Sequence, residues 1–191
     1  MADSIPSFNG SLRELSAVLA AAQSLAPLVQ EAGDRLLECL RTGKKVLTCG
    51  NGGSAADALH LAQELVGCFD RDRKALPAIC LCSDPTALTC IGNDYGFEQI
   101  FARGVEAFGQ KGDLLVAFTT SGNSANVLAA LAAARMRGVA TIVLSGKEGG
   151  AARAQCDQAI VVPSQSTARI QEAHTLILHH WLERVDAERW E

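Results

Sequence analysis

The chain of 191 residues lacks most of the features that assign a function quickly. It has no surplus of positive charge: 17 Lys and Arg stand against 21 Asp and Glu, and the net charge of −4 argues against a broad nucleic-acid surface. No apolar run reads as long enough to span a membrane. No basic N-terminal region leads into an apolar core, as a signal peptide would. Seven cysteines are an odd number and hold no CxxC pair. That fits a reduced, cytoplasmic setting better than a disulfide framework. No linker, low-complexity segment or composition shift divides the chain, so residues 1–191 read as one domain. Both familiar nucleotide fingerprints are missing. No glycine-rich loop ends in Gly-Lys-Ser/Thr, and the stretch from Asn51 to Ala56 lacks the last glycine of G-x-G-x-x-G.

What is present is an ordinary globular composition, 48 % hydrophobic and 20 % charged, with a regular alternation of apolar runs and helical stripes. Residues Met1 to Gly10 read as a loose lead-in. Two helices follow, Ser11 to Leu25 and Pro27 to about Thr42. Strands are expected at Val46–Cys49, Ala78–Cys82, Leu114–Phe118, Ala140–Leu144 and Gln158–Val162. Between them lie helices at about Ser54–Val66, Pro85–Cys90, Phe97–Phe108, Ser124–Arg137 and Ala151–Gln155. A long helix from Thr167 to about Arg189 closes the chain. The polar stretch Asp70 to Lys74 reads as a solvated loop, and Gly92 to Gly96 as a turn. Five strands alternating with helices predict a parallel sheet covered on both faces. Two helices before the first strand exceed what one sheet needs. Packing against another subunit and simple cover of a sheet face are equal readings of them.

Chemistry concentrates where strands end. After Cys49 the chain runs through three glycines in four residues into a helix. This strand–loop–helix order exposes unpaired amides at the positive end of a helix dipole, a natural phosphate seat. Thr119-Thr-Ser-Gly-Asn-Ser124 repeats the arrangement with four hydroxyls in six residues. Hydroxyls and amides can wrap a phosphate monoester without Arg or Lys. Helix capping accounts for one or two of the hydroxyls, less readily for all four. His60 and Glu64, spaced i, i+4, share a helix face. Gln171 and His179, eight apart, share a face of the last helix; residues of that kind are usually surface polar groups. His174 reads as structural, His180 as surface, Trp181 and Trp190 as packing.

Taken together, Cys49-Gly-Asn-Gly-Gly-Ser-Ala-Ala-Asp57, His60-x-x-x-Glu64, Gly92-Asn-Asp-Tyr-Gly96, Thr120-Ser-Gly-Asn-Ser-Ala-Asn126 and Ile170-Gln-Glu-x-His174 with His179 resemble the sedoheptulose 7-phosphate (phosphoheptose) isomerases of the sugar isomerase (SIS) domain group. The likeness covers nearly the whole chain. It implies a three-layer αβα sandwich with a five-stranded parallel sheet over residues 43–191. Residues 1–42 would be extra N-terminal helices for oligomer packing in a homotetramer with sites at subunit interfaces. By position it implies phosphate contacts from Thr119, Thr120, Ser121 and Ser124, with Ser54 and the amides of Asn51, Gly52 and Gly53 opposite. Asn93 and Asp94 would meet sugar hydroxyls, with Gln171 also on the substrate side. Glu64 and His179 would be the acid–base pair, and some members bind zinc through positions matching His60, Glu64, Gln171 and His179.

The implied reaction is an aldose–ketose isomerisation through an enediol, the first step towards lipopolysaccharide heptose. A carboxylate can take the carbon-bound proton and an imidazole can shuttle the other. Whether Glu64 is base or ligand stays open. Two departures stand out: Cys68 replaces an Arg common in the family, and Ala168 an Asp. One alternative is a non-catalytic relative that binds the replication initiator DnaA; that regulator lacks the Glu and the second His present here. An isomerase or sensor for another phosphosugar is the other.

Overall fold

The computed structural model describes residues 7–190. Its strands are β1 (Val46–Gly50), β2 (Ala78–Cys80), β3 (Leu114–Phe118), β4 (Ala140–Ser145) and β5 (Gln158–Val161), all parallel, in the order β2-β1-β3-β4-β5. Its helices are α1 (Phe8–Ala22), α2 (Ala26–Arg41), α3 (Gly53–Val66), α4 (Pro85–Tyr95), α5 (Ala102–Phe108), α6 (Ala125–Arg137), α7 (Ala152–Gln155) and α8 (Thr167–Ala187). Successive side chains along a strand point to opposite faces, and the core divides accordingly. Val46, Leu114, Val116, Phe118, Ile142, Leu144 and Ile160 pack under α2, α3 and α8. Leu47, Cys49, Leu115, Ala117 and Val143 pack under α5 and α6. The central strands are buried on both faces, so they carry continuous apolar runs rather than alternation.

The chain leaves β1 for β2 on one side and returns to β3 on the other. The crevice of this reversal lies between the carboxyl ends of β1 and β3, where Gly50 stands beside Phe118. Helix α8 is the anchor of one layer. It buries Ile170, Ala173, Ile177, Leu178, Trp181, Leu182 and Val185, and the Trp181 indole donates to Val29 O at 2.9 Å. Truncating one of its buried leucines costs about 2–5 kcal/mol, the usual range for a core Leu→Ala.

Several expectations need correction. The lead-in is shorter than expected: Ser7 caps α1 by accepting the Gly10 amide at 3.1 Å, and helix begins at Phe8. Residues 1–6 lie outside the described residues. The segment Gly92–Tyr95 is not a turn; α4, started by Asp84 capping the Thr86 and Ala87 amides, continues through it to Tyr95. Gly96, at φ 91°, ends it. The helix expected at Phe97–Phe108 is broken, a 3-10 turn at Phe97–Gln99 preceding α5. The stretch Asp70–Lys74 is not merely solvated. The Arg73 side chain is 5 % exposed and pairs with Asp186.

The helical run Phe8–Arg41, 34 residues, is long and apolar enough to cross a membrane by length and composition alone. Its second half is committed to the core through Ala32, Leu36, Leu37, Cys39 and Leu40. Extracting it would strip the sheet. Its first half is the opposite case: no residue of α1 is buried.

Candidate functional site

Three helix N-termini converge on the β1/β3 crevice. A cavity of about 270 Å³ is lined there by Asn51, Gly53 and Ser54 at the start of α3, and by Phe118 through Ser121 with Ser124 at the start of α6. Thr167 and Gln171, at the start of α8, complete it. No Lys or Arg lines it. Each helix start is without a side-chain cap: Gly52, Ser124 and Ser166 occupy the cap positions and none makes the cap hydrogen bond. Orphan amides and three dipoles therefore face one volume, which favours an anion.

The hydroxyls divide their work. The Gly122 amide donates to Thr119 Oγ1 at 3.2 Å and the Asn123 amide to Ser121 Oγ at 3.2 Å, so these two shape the loop. Among the described residues the Thr120 and Ser124 hydroxyls have no protein partner and are open to a ligand. The loop is also braced from behind. A Cβ on Gly122, at φ 68°, would overlap the Gly149 carbonyl, so backbone packs on backbone there. The two cradle loops are tied by a reciprocal amide pair that the sequence reading missed. Asn51 donates to Asn126 at 2.9 Å, and Asn126 donates back at 2.8 Å. Asn126 lies in the quoted motif, but its partner is 75 positions away.

From the cradle, α3 and α8 run side by side in register. Gly53 meets Gln171, the Thr175 hydroxyl donates to Asp57 Oδ1 at 3.1 Å, and the His60 ring lies edge-on to His179 with centroids 5.0 Å apart. Asp57 is a second residue without a role in the sequence reading. Burial raises its carboxyl above the ordinary range, against the Thr175 hydrogen bond and the attraction of His60. Its Oδ2 is buried without a partner among the described residues.

At the far end of this seam, His60 Nε2 stands 3.5 Å from Glu64 Oε1, and Phe69 closes over the other side of His179 at 5.3 Å. His60, Glu64 and His179 are thus brought together, each partly open to solvent. Two imidazoles and a carboxylate suit zinc as a donor set. Among the described residues, no group of three such side chains forms a ready-made metal cage. Gln171 sits at the cradle end of the seam, eight residues or about 12 Å of helical rise before His179. Asn93 and Asp94 lie exposed on the last turn of α4, bonded to each other at 2.7 Å, and do not line the cavity. His174 is wholly buried, its Nε2 3.2 Å from Ser145 O.

A phosphate-sized cradle and a carboxylate–imidazole cluster on one helix seam of a 2-1-3-4-5 sheet are what a sugar-phosphate-handling αβα protein requires. The SIS domain family model matches residues 11–146. The phosphoheptose isomerase of Nitratiruptor sp. is 58 % identical over 143 residues, covering 75 % of this chain and 76 % of that one. The phosphoheptose isomerase of Helicobacter hepaticus is 49 % identical over 178 residues, covering 92 % and 91 %. The solved phosphoheptose isomerase GmhA from Neisseria gonorrhoeae superposes with a TM-score of 0.89 at 41 % identity, over 94 % of this chain and 97 % of that one. The chain belongs to the SIS domain family, and within it to the phosphoheptose isomerases.

Proposed function

We propose that the chain interconverts sedoheptulose 7-phosphate and D-glycero-D-manno-heptose 7-phosphate through an enediol, the entry step to lipopolysaccharide heptose. The observation that carries this reading is the α3–α8 seam, with an anion cradle at one end and His60, Glu64 and His179 at the other. From Ser54 to His60 the helix rises about 9 Å, close to the extended distance between a phosphate on C7 and a carbonyl at C2. The relatives' names support the same substrate.

In this reading the cradle holds the phosphate through the free Thr120 and Ser124 hydroxyls and the helix-start amides, with Thr119 and Ser121 fixing the loop. Glu64 takes the C1 proton of the ketose and returns it to C2, while His179 moves the second proton from O1 to O2. Zinc, held by His60, Glu64 and His179 with Gln171 as the expected neutral donor, would supply Lewis-acid polarisation of the carbonyl. Glu64 belongs to both sets. Asn93 and Asp94, outside the cavity of a single chain, would meet the sugar if a neighbouring copy completes the site.

A homotetramer is part of the proposal. Helix α1 has no fully buried residue, only partly buried ones such as Val18, and an apolar cavity between α1, α2 and α8, lined by Leu19, Leu25, Val29, Ala173, Leu176 and Ile177, stands open beside it. The proposed compartment is the cytoplasm, in keeping with seven free thiols.

Glu64→Gln and His179→Ala should each lower kcat by roughly 10²–10⁴-fold, the ordinary contribution of a general acid or base. Inorganic phosphate, used as a probe of the cradle, should bind both variants as it binds the wild type. Near-wild-type turnover in both would overturn the assignment.

A further inference from the structure

Behind the acid–base cluster lies a buried ion pair whose groups are all spent on that cluster's frame. The side chains of Arg73 and Asp186 are 5 % and 4 % exposed, with Arg73 Nε 2.8 Å from Asp186 Oδ1. The guanidinium has two further arms. Nη2 donates to the backbone carbonyl of Glu64 at 2.6 Å, and Nη1 to those of Leu65 at 3.0 Å and Lys74 at 3.1 Å. Arg73 thus serves the orphan carbonyls at the C-terminus of α3, where its charge also complements the helix dipole. The other oxygen of Asp186 accepts the amides of Asp70 at 2.7 Å and Arg71 at 3.0 Å. Those amides directly follow Phe69, whose ring packs on His179. One ion pair therefore holds the turn of α3 that carries Glu64, the end of α8 beyond His179, and the loop that covers His179.

The geometry points to Arg73 and Asp186 as positioning residues for the isomerase, setting Glu64 against His179 from the side away from substrate. This rests on the isomerase reading. Helix capping alone accounts for the carbonyl contacts, so a readout that separates positioning from mere stability is needed. The pair is remote from the cradle, which sits about three turns away at the other end of α3. Its loss should act on chemistry and spare phosphate binding. Only arginine offers a planar fork that reaches a carboxylate and several carbonyls at once. Lysine, a single point donor, does not replace it.

The test is steady-state kinetics of Arg73→Lys with sedoheptulose 7-phosphate, beside inorganic phosphate binding by calorimetry. The expected result is a kcat lowered about tenfold or more, since small misplacements of reacting groups are costly, with KM and phosphate affinity within about twofold of wild type. In Arg73→Ala, guanidinium ion below denaturing concentration should restore part of kcat, which a generally loosened fold would not show. Wild-type kcat in Arg73→Lys would overturn the inference, as would a parallel loss of kcat and phosphate affinity. If Arg73→Lys does not fold, Asp186→Asn, which keeps the shape and amide acceptor but loses the charge, decides by the same two readouts. The wild-type control separates the layers. Absent wild-type turnover overturns the isomerase reading itself, and this inference with it; turnover with an unchanged Arg73→Lys overturns this inference alone.

Discussion

At the scale of single residues, the structure separates histidines by what surrounds them. His60 and His179 face each other across the α3–α8 seam, whereas His174, on the same helix as His179, lies wholly inside. Burial pushes its pKa down to about 4 from 6.5, and the Ser145 carbonyl opposes this only in part. The native chain keeps His174 neutral where the unfolded chain would take a proton. Between about pH 6.5 and 4 the unfolded state therefore binds more protons, and stability falls as pH falls. Fully expressed, the loss is roughly 3 kcal/mol. Asp186 adds to acid sensitivity in the same direction. Burial works to raise its carboxyl, but the Asp70 amide, Arg73 and the Arg71 amide outweigh it and hold it below the ordinary range. Its contribution is lost as pH falls through that lowered value. Urea midpoints measured at pH 7.5 and pH 5 should drop in the wild type and drop less in His174→Gln. Equal drops would show that His174 is not the acid-sensitive group.

At the scale of elements, α1 is the helix with no fully buried residue, held to α8 along one side by Val18 and by Arg169, which reaches Ser11 O and Glu14. Phe8 and Leu12 are exposed on it, and Leu176 on α8 is exposed nearby. In an isolated chain, Leu12→Glu and Leu176→Glu should change stability by no more than about 0.5 kcal/mol, as surface substitutions do. In the proposed tetramer they would bury a charge at an interface. Light scattering after size exclusion should show a smaller particle with unchanged circular dichroism; an unchanged mass would contradict the assembly. The strands and most helices were legible because their signals are local: apolar runs, Asp84-Pro85 as a helix start, glycines after helix ends. The errors have equally physical causes. Gly92 and Asn93 carry turn chemistry, but a well-capped α4 tolerates them. Arg73 looked like a solvated charge because Asp186, which buries it, lies 113 positions away. Asn126 and Asp57 were in view as motif letters, yet their partners Asn51 and Thr175 come from other elements. The sequence marks the hydroxyl loop as a cradle, but only the fold separates Thr119 and Ser121, which tie the loop, from Thr120 and Ser124, which are open to a ligand.

At the scale of the molecule, the sheet order does the organising. Reversal at β1 and β3 opens one crevice, three helices start at it, and two of them, α3 and α8, run in parallel from it to the cluster of His60, Glu64 and His179. In the proposed function the site is a length, a phosphate anchor and a reactive end joined by about two turns of helix from Ser54 to His60 and about three to Glu64. On that proposal, the length would distinguish a seven-carbon substrate from a shorter one. The most direct test is to follow sedoheptulose 7-phosphate by NMR with the purified chain in D₂O, beside a five-carbon ketose 5-phosphate. The account predicts an aldoheptose 7-phosphate carrying deuterium at C2, and turnover of the five-carbon sugar slower by an order of magnitude or more, because a phosphate-anchored shorter chain holds its carbonyl short of Glu64. Equal turnover of both sugars, or binding of the heptulose phosphate with no conversion, would contradict it.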